Sequence, residues 1–559
     1  MIGKIVVSGF SLLLVVGVII GVIAAVKKND GSVANMDITP HMKAVQQLCE
    51  PTTYKEVCTK TLGDINSTDP KHLIQGGILA ISNSLTKAFN LSNDLIVKVK
   101  EGDKRTKTSL NDCKTLLSDA KEELHDILEK VSNATLKDLT LQSDEFRIWL
   151  SSIISYNELC VDGFEDSNQL KATVSDSTQK ANELTDNILE MLGGMSKILS
   201  SFGLELNLPM PNSRKLLVEA KTGYPTWLST ADRKLLALKE PNMPKPNAVV
   251  AKDGSGQYKT ITAAINAYPA NLQGRYVIYV KAGIYNEDVK VPKKMPNIFM
   301  YGDGPRATVI TGKKSFTSGI NTFNSAPFGV DSDGFICRSM GFENTAGPDG
   351  HQAVALRVNS DMSVFYNCRM DGYQDTLLYQ AKRQFYRNCV ISGTIDFMFG
   401  YGAAIIQNSE IIVRKPNPNQ FCTLTADGRK EKGQNTGLVI HNCRILPEEK
   451  LVPTRLITKT YLGRPWKQYS TTVVMESEMG DLIQPEGWKA WIGTQYLDTL
   501  FYAEYANTGP GSNTAGRIKW KTVHFLDRQG AQPFTTGTFL PQSGQWIAAA
   551  GVPFLSGFK

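Results

Sequence analysis

The stretch from residue 365 to 445 repeats itself. Phe365-Tyr366-Asn367-Cys368-Arg369-Met370, Tyr386-Arg387-Asn388-Cys389-Val390-Ile391, Ile406-Gln407-Asn408-Ser409-Glu410-Ile411 and, after an insertion, Ile440-His441-Asn442-Cys443-Arg444-Ile445 are copies of one short apolar run around an Asn-Cys or Asn-Ser pair. A period near 20 residues, with one or more short strands per copy, predicts the stacked coils of a parallel β-solenoid. Residues one period apart then lie one above the other, on strands about 4.7 to 4.9 Å apart. Asp375, in Tyr373-Gln374-Asp375-Thr376-Leu377, and Asp396, in Asp396-Phe397-Met398-Phe399-Gly400, are separated by 21 residues. The solenoid therefore predicts neighbouring carboxyl groups facing one site, which a single coil could not supply.

The chain has 559 residues, 42% hydrophobic and 21% charged, which suits two folded units plus extras and excludes general disorder. Its 61 Lys+Arg against 54 Asp+Glu, a net +7, favour an acidic partner such as an anionic polysaccharide. No long basic run supports a nucleic-acid arm. Ile5 to Val26 carries no charge and is bracketed by Lys4 and Lys27-Lys28. Residues 1–30 therefore read as a secretory signal peptide or an uncleaved signal anchor, with membrane contact only through residues 5–26 in the second case. Sequons at Asn66, Asn90 and Asn133 fit that route.

Nine cysteines divide into Cys49, Cys58, Cys113 and Cys160, then five from Cys337 onward. The first four allow three pairings, of which Cys49 with Cys58 and Cys113 with Cys160 is preferred. The later five, Cys337, Cys368, Cys389, Cys422 and Cys443, leave an odd thiol. Without C-x-x-C, H-x-H or H-E-x-x-H, neither a metal site nor a cofactor is expected.

Residues 40–203 read as a helical bundle. Ile74, Ile78, Ile81, Leu85 and Phe89 form one stripe, Leu117, Ala120, Leu124, Ile127 and Val131 a second, and Leu184, Ile188, Met191, Met195 and Ile198 a third. Residues 204–246 are a Pro-rich basic linker in which Arg214-Lys215-Leu216-Leu217 recurs as Arg233-Lys234-Leu235-Leu236. An exposed dibasic pair is a candidate processing site, and two amphipathic helical turns are the other reading. Residues 247–559 read as all-β, with helix-length apolar stripes absent.

Around the two aspartates stand Gln352, Gln374 and Arg464. Amide N–H groups can hold a developing oxyanion, and a guanidinium favours one ionised carboxylate while the other stays protonated. Acids split in this way suit a nucleophile and a general acid. No G-x-S-x-G elbow, P-loop or zinc signature competes.

Five blocks, Gly283-Ile284-Tyr285-Asn286-Glu287, Gln352 to Leu356, Tyr373 to Leu377, Asp396 to Gly400 and Leu462 to Trp466, resemble in order and spacing the signatures of plant pectin methylesterases with an inhibitor-like pro-region. The resemblance covers nearly the whole chain. It implies an all-β right-handed parallel β-helix catalytic domain behind an all-α helical-bundle pro-domain. It further implies Asp396 as nucleophile, Asp375 as proton donor and then base, and Gln374 as transition-state stabiliser. Thr322, Gln352, Arg464 and Trp466 would contact substrate, methyl-esterified pectin, and the repeated Arg-Lys-Leu-Leu would be the processing motif. Tyr401-Gly402 stands where similar proteins usually have Asn-Ala, and Met398 replaces a more usual Ile. Ser409 replaces a cysteine able to bridge the equivalent of Cys443, so that bridge should be missing. The expected activity is hydrolysis of pectin methyl esters outside the cell. A glycosidase acting on the same polymer and a non-catalytic wall-binding or inhibitory module are the alternatives.

Overall fold

The computed structural model describes residues 39–100, 103–165, 168–202 and 243–559. The apolar segment 5–26 and both Arg-Lys-Leu-Leu motifs, with Arg214, Lys215, Arg233 and Lys234, lie outside the described residues.

The first half is a helical bundle. Pro70–Lys98, Lys104–Asn133, Ser143–Asp162 and Leu170–Gly193 each pack against two of the others. Asp69 opens the first of these by accepting from the Lys71 amide at 2.9 Å, with Pro70 at the first helical position, and Asp103 opens the second through the Thr106 amide at 3.0 Å. Ile74, Ile78, Ile81 and Leu85 are buried, as is the second stripe from Leu117 to Val131. The third stripe is buried too, but its helix is interrupted: Leu170–Gly193 ends and Met195–Ser201 begins at Gly193-Gly194, where two glycines weaken the helix. Disulfides join Cys49 to Cys58 and Cys113 to Cys160.

Ser143–Asp162 shows no stripe because most of it is buried, from Phe146 and Ile148 to Cys160 and Val161. One side faces the bundle. The other faces the second half, where Trp149 Nε1 donates to Asp361 at 2.8 Å and Ser155 Oγ to the Gln380 carbonyl at 2.7 Å.

The second half is a parallel β-helix of three sheets, with eleven, seven and eight strands. Each copy of the repeat turns a corner between two of them. Phe365, Tyr386, Ile406 and Ile440 pair in register in the eleven-stranded sheet, and Met370, Ile391, Ile411 and Ile445 in the eight-stranded one. The corner residues Asn367, Asn388, Asn408 and Asn442 have φ between 51° and 55°, a left-handed conformation that asparagine tolerates better than most residues. Their amides ladder from coil to coil: Asn442 Nδ2 donates to Asn408 at 2.7 Å and Asn408 Nδ2 to Asn388 at 2.9 Å.

Phe365, Tyr386, Ile406 and Ile440 belong to the core inside the coil, whereas their neighbours Val364, Phe385, Ile405 and Val439 face outward. That outer face is covered by Leu540, Trp546 and Ile547 of the C-terminal segment. Short helices accompany the sheets. Ile261–Asn266, Arg528–Ala531, Thr536–Phe539 and Ser543–Ala549 are helical, each too short to leave an apolar stripe. Cys443 is free and buried, like Cys337, Cys368, Cys389 and Cys422, and the hydroxyl of Ser409 instead accepts from the Cys389 amide at 3.0 Å.

Candidate active site

Asp375 and Asp396 each lie two residues ahead of a strand of the seven-stranded sheet, Leu377–Tyr379 and Met398–Gly400. Leu377 pairs with Met398, so the aspartates occupy equivalent places on adjacent rungs, and the Asp375 amide donates to the Ile395 carbonyl at 3.0 Å. Both are in the left-handed region, with φ of 65° and 50°. A non-glycine residue held there by its surroundings is a recurrent feature of reactive sites. They are only 7% and 4% exposed.

Their surroundings differ. Asp396 receives Arg464 Nε at 2.9 Å on Oδ1 and Nη2 at 2.5 Å on Oδ2, and Thr423 Oγ1 donates to Oδ1 at 2.6 Å. The Asp396 amide returns a bond to Thr423 Oγ1 at 2.9 Å. A forked guanidinium and a hydroxyl fix this carboxylate's orientation. Burial works against the Arg464 charge, and Asp396 holds it above its usual value. The guanidinium also lies 4.1 Å from the centre of the Trp491 ring. Asp375 is pushed well above the usual carboxylate range, first by burial and then by the charge of Asp396, with Arg464 offsetting part of this. The arrangement therefore holds one proton-bearing acid beside one ion-paired carboxylate.

Thr322, Gln352, Gln374, Asp375, Asp396, Arg464 and Trp466 all line one cavity of about 610 Å³. Gly283–Asn286 and Glu287 do not line it. The Glu287 carboxylate instead accepts from the Ile261 and Thr262 amides at 3.1 and 3.2 Å, capping a short helix, so this block serves the fold. Thr423 was not anticipated. It continues the aspartate column, because Met398 pairs with Thr425, but an insertion stretches its spacing from Asp396 to 27 residues and hides it from the period. Trp491, beyond the repeats, carried no signal.

The helical half forms the other wall. Asp112 accepts from Asn321 and Asn324 at 2.9 and 2.7 Å, gripping the turn that carries Thr322. Arg105 Nη2 donates to the Phe316 carbonyl at 2.7 Å. Across the cavity, Asp162 accepts from Lys467 Nζ at 2.8 Å and from the Tyr401 hydroxyl. Tyr401 and Trp466 pack into the apolar cluster of the bundle.

Comparison with known proteins agrees with this architecture. The family described as Pectinesterase matches residues 247–544, and the family described as Plant invertase/pectin methylesterase inhibitor matches residues 43–191. Pectinesterase 4 of Arabidopsis thaliana is 42% identical and Pectinesterase 5 of the same plant 41%, each over the full length of both chains. The solved structure of pectin methylesterase from carrot is 48% identical, with a TM-score of 0.56, and covers 57% of this chain and 100% of its own. A chain that matches the pectinesterase family across its β-helix, and pectinesterases across its entire length, belongs to that family of enzymes, and it carries an inhibitor-family helical domain in the same polypeptide.

Proposed function

We propose that the β-helix hydrolyses methyl esters of cell-wall homogalacturonan through a covalent intermediate on Asp396. The ionised Asp396 attacks the ester carbonyl, Gln352 and Gln374 donate to the oxyanion, and Asp375 gives its proton to the departing methanol. Asp375, now a base, takes a proton from water as that water attacks the acyl-enzyme, which frees the galacturonate carboxyl and restores Asp396. The observation that carries the reading is the unequal treatment of two acids on adjacent rungs: one ion-paired by Arg464, one buried with its proton. Thr322 and Trp466 bind the polymer beside the reacting unit.

The helical half covers the cleft through Asp112 and Asp162 and keeps polymer out. Cutting the 204–246 linker at either dibasic pair then lets it leave. The chain enters the secretory pathway through residues 1–30 and works at the wall, carrying glycans on Asn66, Asn90 and Asn133, all exposed.

Product analysis of the β-helix, cut in the linker and freed of its helical half, on esterified pectin tests the assignment. Methanol should be released with no new reducing ends. New reducing ends without methanol would make it the glycosidase, and neither product would make it a binding or inhibitory module.

A further inference from the structure

Two buried polar side chains beside the cleft have no part in the ester chemistry. Lys467 Nζ donates to Asp162 Oδ1 at 2.8 Å and lies 2.9 Å from Glu158 Oε2, and the Tyr401 hydroxyl donates to Asp162 Oδ2. Lys430 Nζ stands 3.9 Å from the same Glu158 oxygen. Asp162 and Trp466 line the cavity that holds Asp375 and Asp396. The Tyr401 ring centre is 4.8 Å from that of Trp466, and Lys467 Nζ is 5.4 Å from the same ring. Ammonium and phenol thus converge on one carboxylate, with the indole beside both.

That carboxylate belongs to the helical half, at the end of Ser143–Asp162. Burying a lone ammonium is costly unless a counter-charge meets it. Burial disfavours the charge on Lys467, and Asp162 and Glu158 hold it well above its ordinary value. When the helical half leaves, Lys467 Nζ and the Tyr401 hydroxyl lose these partners and are left beside the flat face of Trp466. A carboxylate carried on a ring with an apolar face restores both contacts. An unesterified galacturonate unit offers such a group, and a methyl-esterified unit offers only neutral oxygens, which accept more weakly. Lys467 is three residues from Arg464, a reach of at most about 10 Å of chain, so the place lies within neighbouring units of the reacting ester.

Resting on the esterase reading above, we propose that Tyr401 and Lys467 form a subsite for the free carboxylate of a galacturonate unit near the ester being cleaved, with Asp162 standing in for that carboxylate while the helical half is docked. The product of one cleavage then strengthens binding for the next.

The test starts from full chain folded intact, cut in the linker and freed of its helical half. The β-helix keeps its own closed core, and the carrot enzyme is a complete chain of this part alone. Binding of unesterified trigalacturonate is titrated by calorimetry, and methanol release is compared on fully esterified and half-esterified oligogalacturonides. In Lys467→Met, the Kd for trigalacturonate should weaken about tenfold, as expected for one lost charge-assisted bond, and Lys467→Arg should restore it. The kcat/KM preference for the half-esterified substrate should fall by a similar factor, carried by KM. Tyr401→Phe should shift both readouts the same way by a smaller factor, a check that does not depend on the folding of Lys467→Met. An unaltered trigalacturonate Kd in both variants, or a loss of turnover equal on both substrates, overturns the subsite. A parent that binds trigalacturonate but releases no methanol speaks against the esterase reading, while the titration still decides the subsite.

Discussion

Asp375 and Asp396 share a side chain, a rung position and a backbone conformation, and they differ only in what surrounds them. Arg464 and Thr423 hold Asp396 ion-paired and in one orientation. Burial and the neighbouring charge keep the proton on Asp375. The sign of the pH dependence follows. Leaving-group protonation needs the neutral acid, so kcat/KM should fall on the alkaline side as Asp375 loses its proton. An asparagine at 375 can neither give nor take that proton, so Asp375→Asn should lower kcat by about 10² to 10⁴ and flatten the alkaline limb of a pH–rate profile. A retained alkaline limb would assign it to another group.

At the scale of the element, the corner asparagines decide whether coils stack. Asn408 has φ of 55° and bonds to Asn388 and Asn442 above and below. Asn408→Gly keeps the conformation and loses the ladder, at a cost of about 1 kcal/mol. Asn408→Val loses both and should cost about 2 to 3 kcal/mol, since a β-branched residue is strained at positive φ. Urea unfolding should rank them parent, glycine, valine, and a valine variant as stable as the parent would refute the role. These asparagines also show what made the fold legible. One residue type was needed at each corner, so the period stayed visible through Asn367, Asn388 and Asn408 and located both aspartates. The insertion before Asn442 broke the period and concealed Thr423. The helix Ser143–Asp162 was illegible for the opposite reason: buried on both sides, it lacks the polar face that makes a stripe. Short C-terminal helices, whose apolar residues cover the outer sheet, leave no period of either kind.

For the whole molecule, docking of the two halves couples to protons. Asp186 Oδ1 accepts from the Gly433 amide at 2.7 Å, Oδ2 is buried without a hydrogen-bond partner among the described residues, and Glu431 accepts from the Tyr54 hydroxyl at 2.8 Å. Burial, then Glu190, pushes Asp186 up to about 7, against Arg429 and Lys432. Burial, then Asp186, pushes Glu431 up to about 8, with Glu158 adding and Lys430 opposing. Both groups sit well above their values in a separated half, so the docked form binds more protons. Docking free energy is therefore fully present in acid and is lost as pH rises through about 7 to 8. Glu158, depressed by Lys467 and Lys430 against its burial, is already ionised across that window and does not reverse the trend. Gel filtration of linker-cut protein should show the halves together near pH 5 and apart near pH 9, and equal association at both would contradict the linkage.

The proposed chemistry stands on Asp396 as the attacking group. Methanol release by the isolated β-helix carrying Asp396→Ala, with its circular dichroism matching the parent, tests it most directly. A fall in kcat of about 10⁴-fold or more is expected. A folded variant that still released methanol within about tenfold of the parent rate would contradict it.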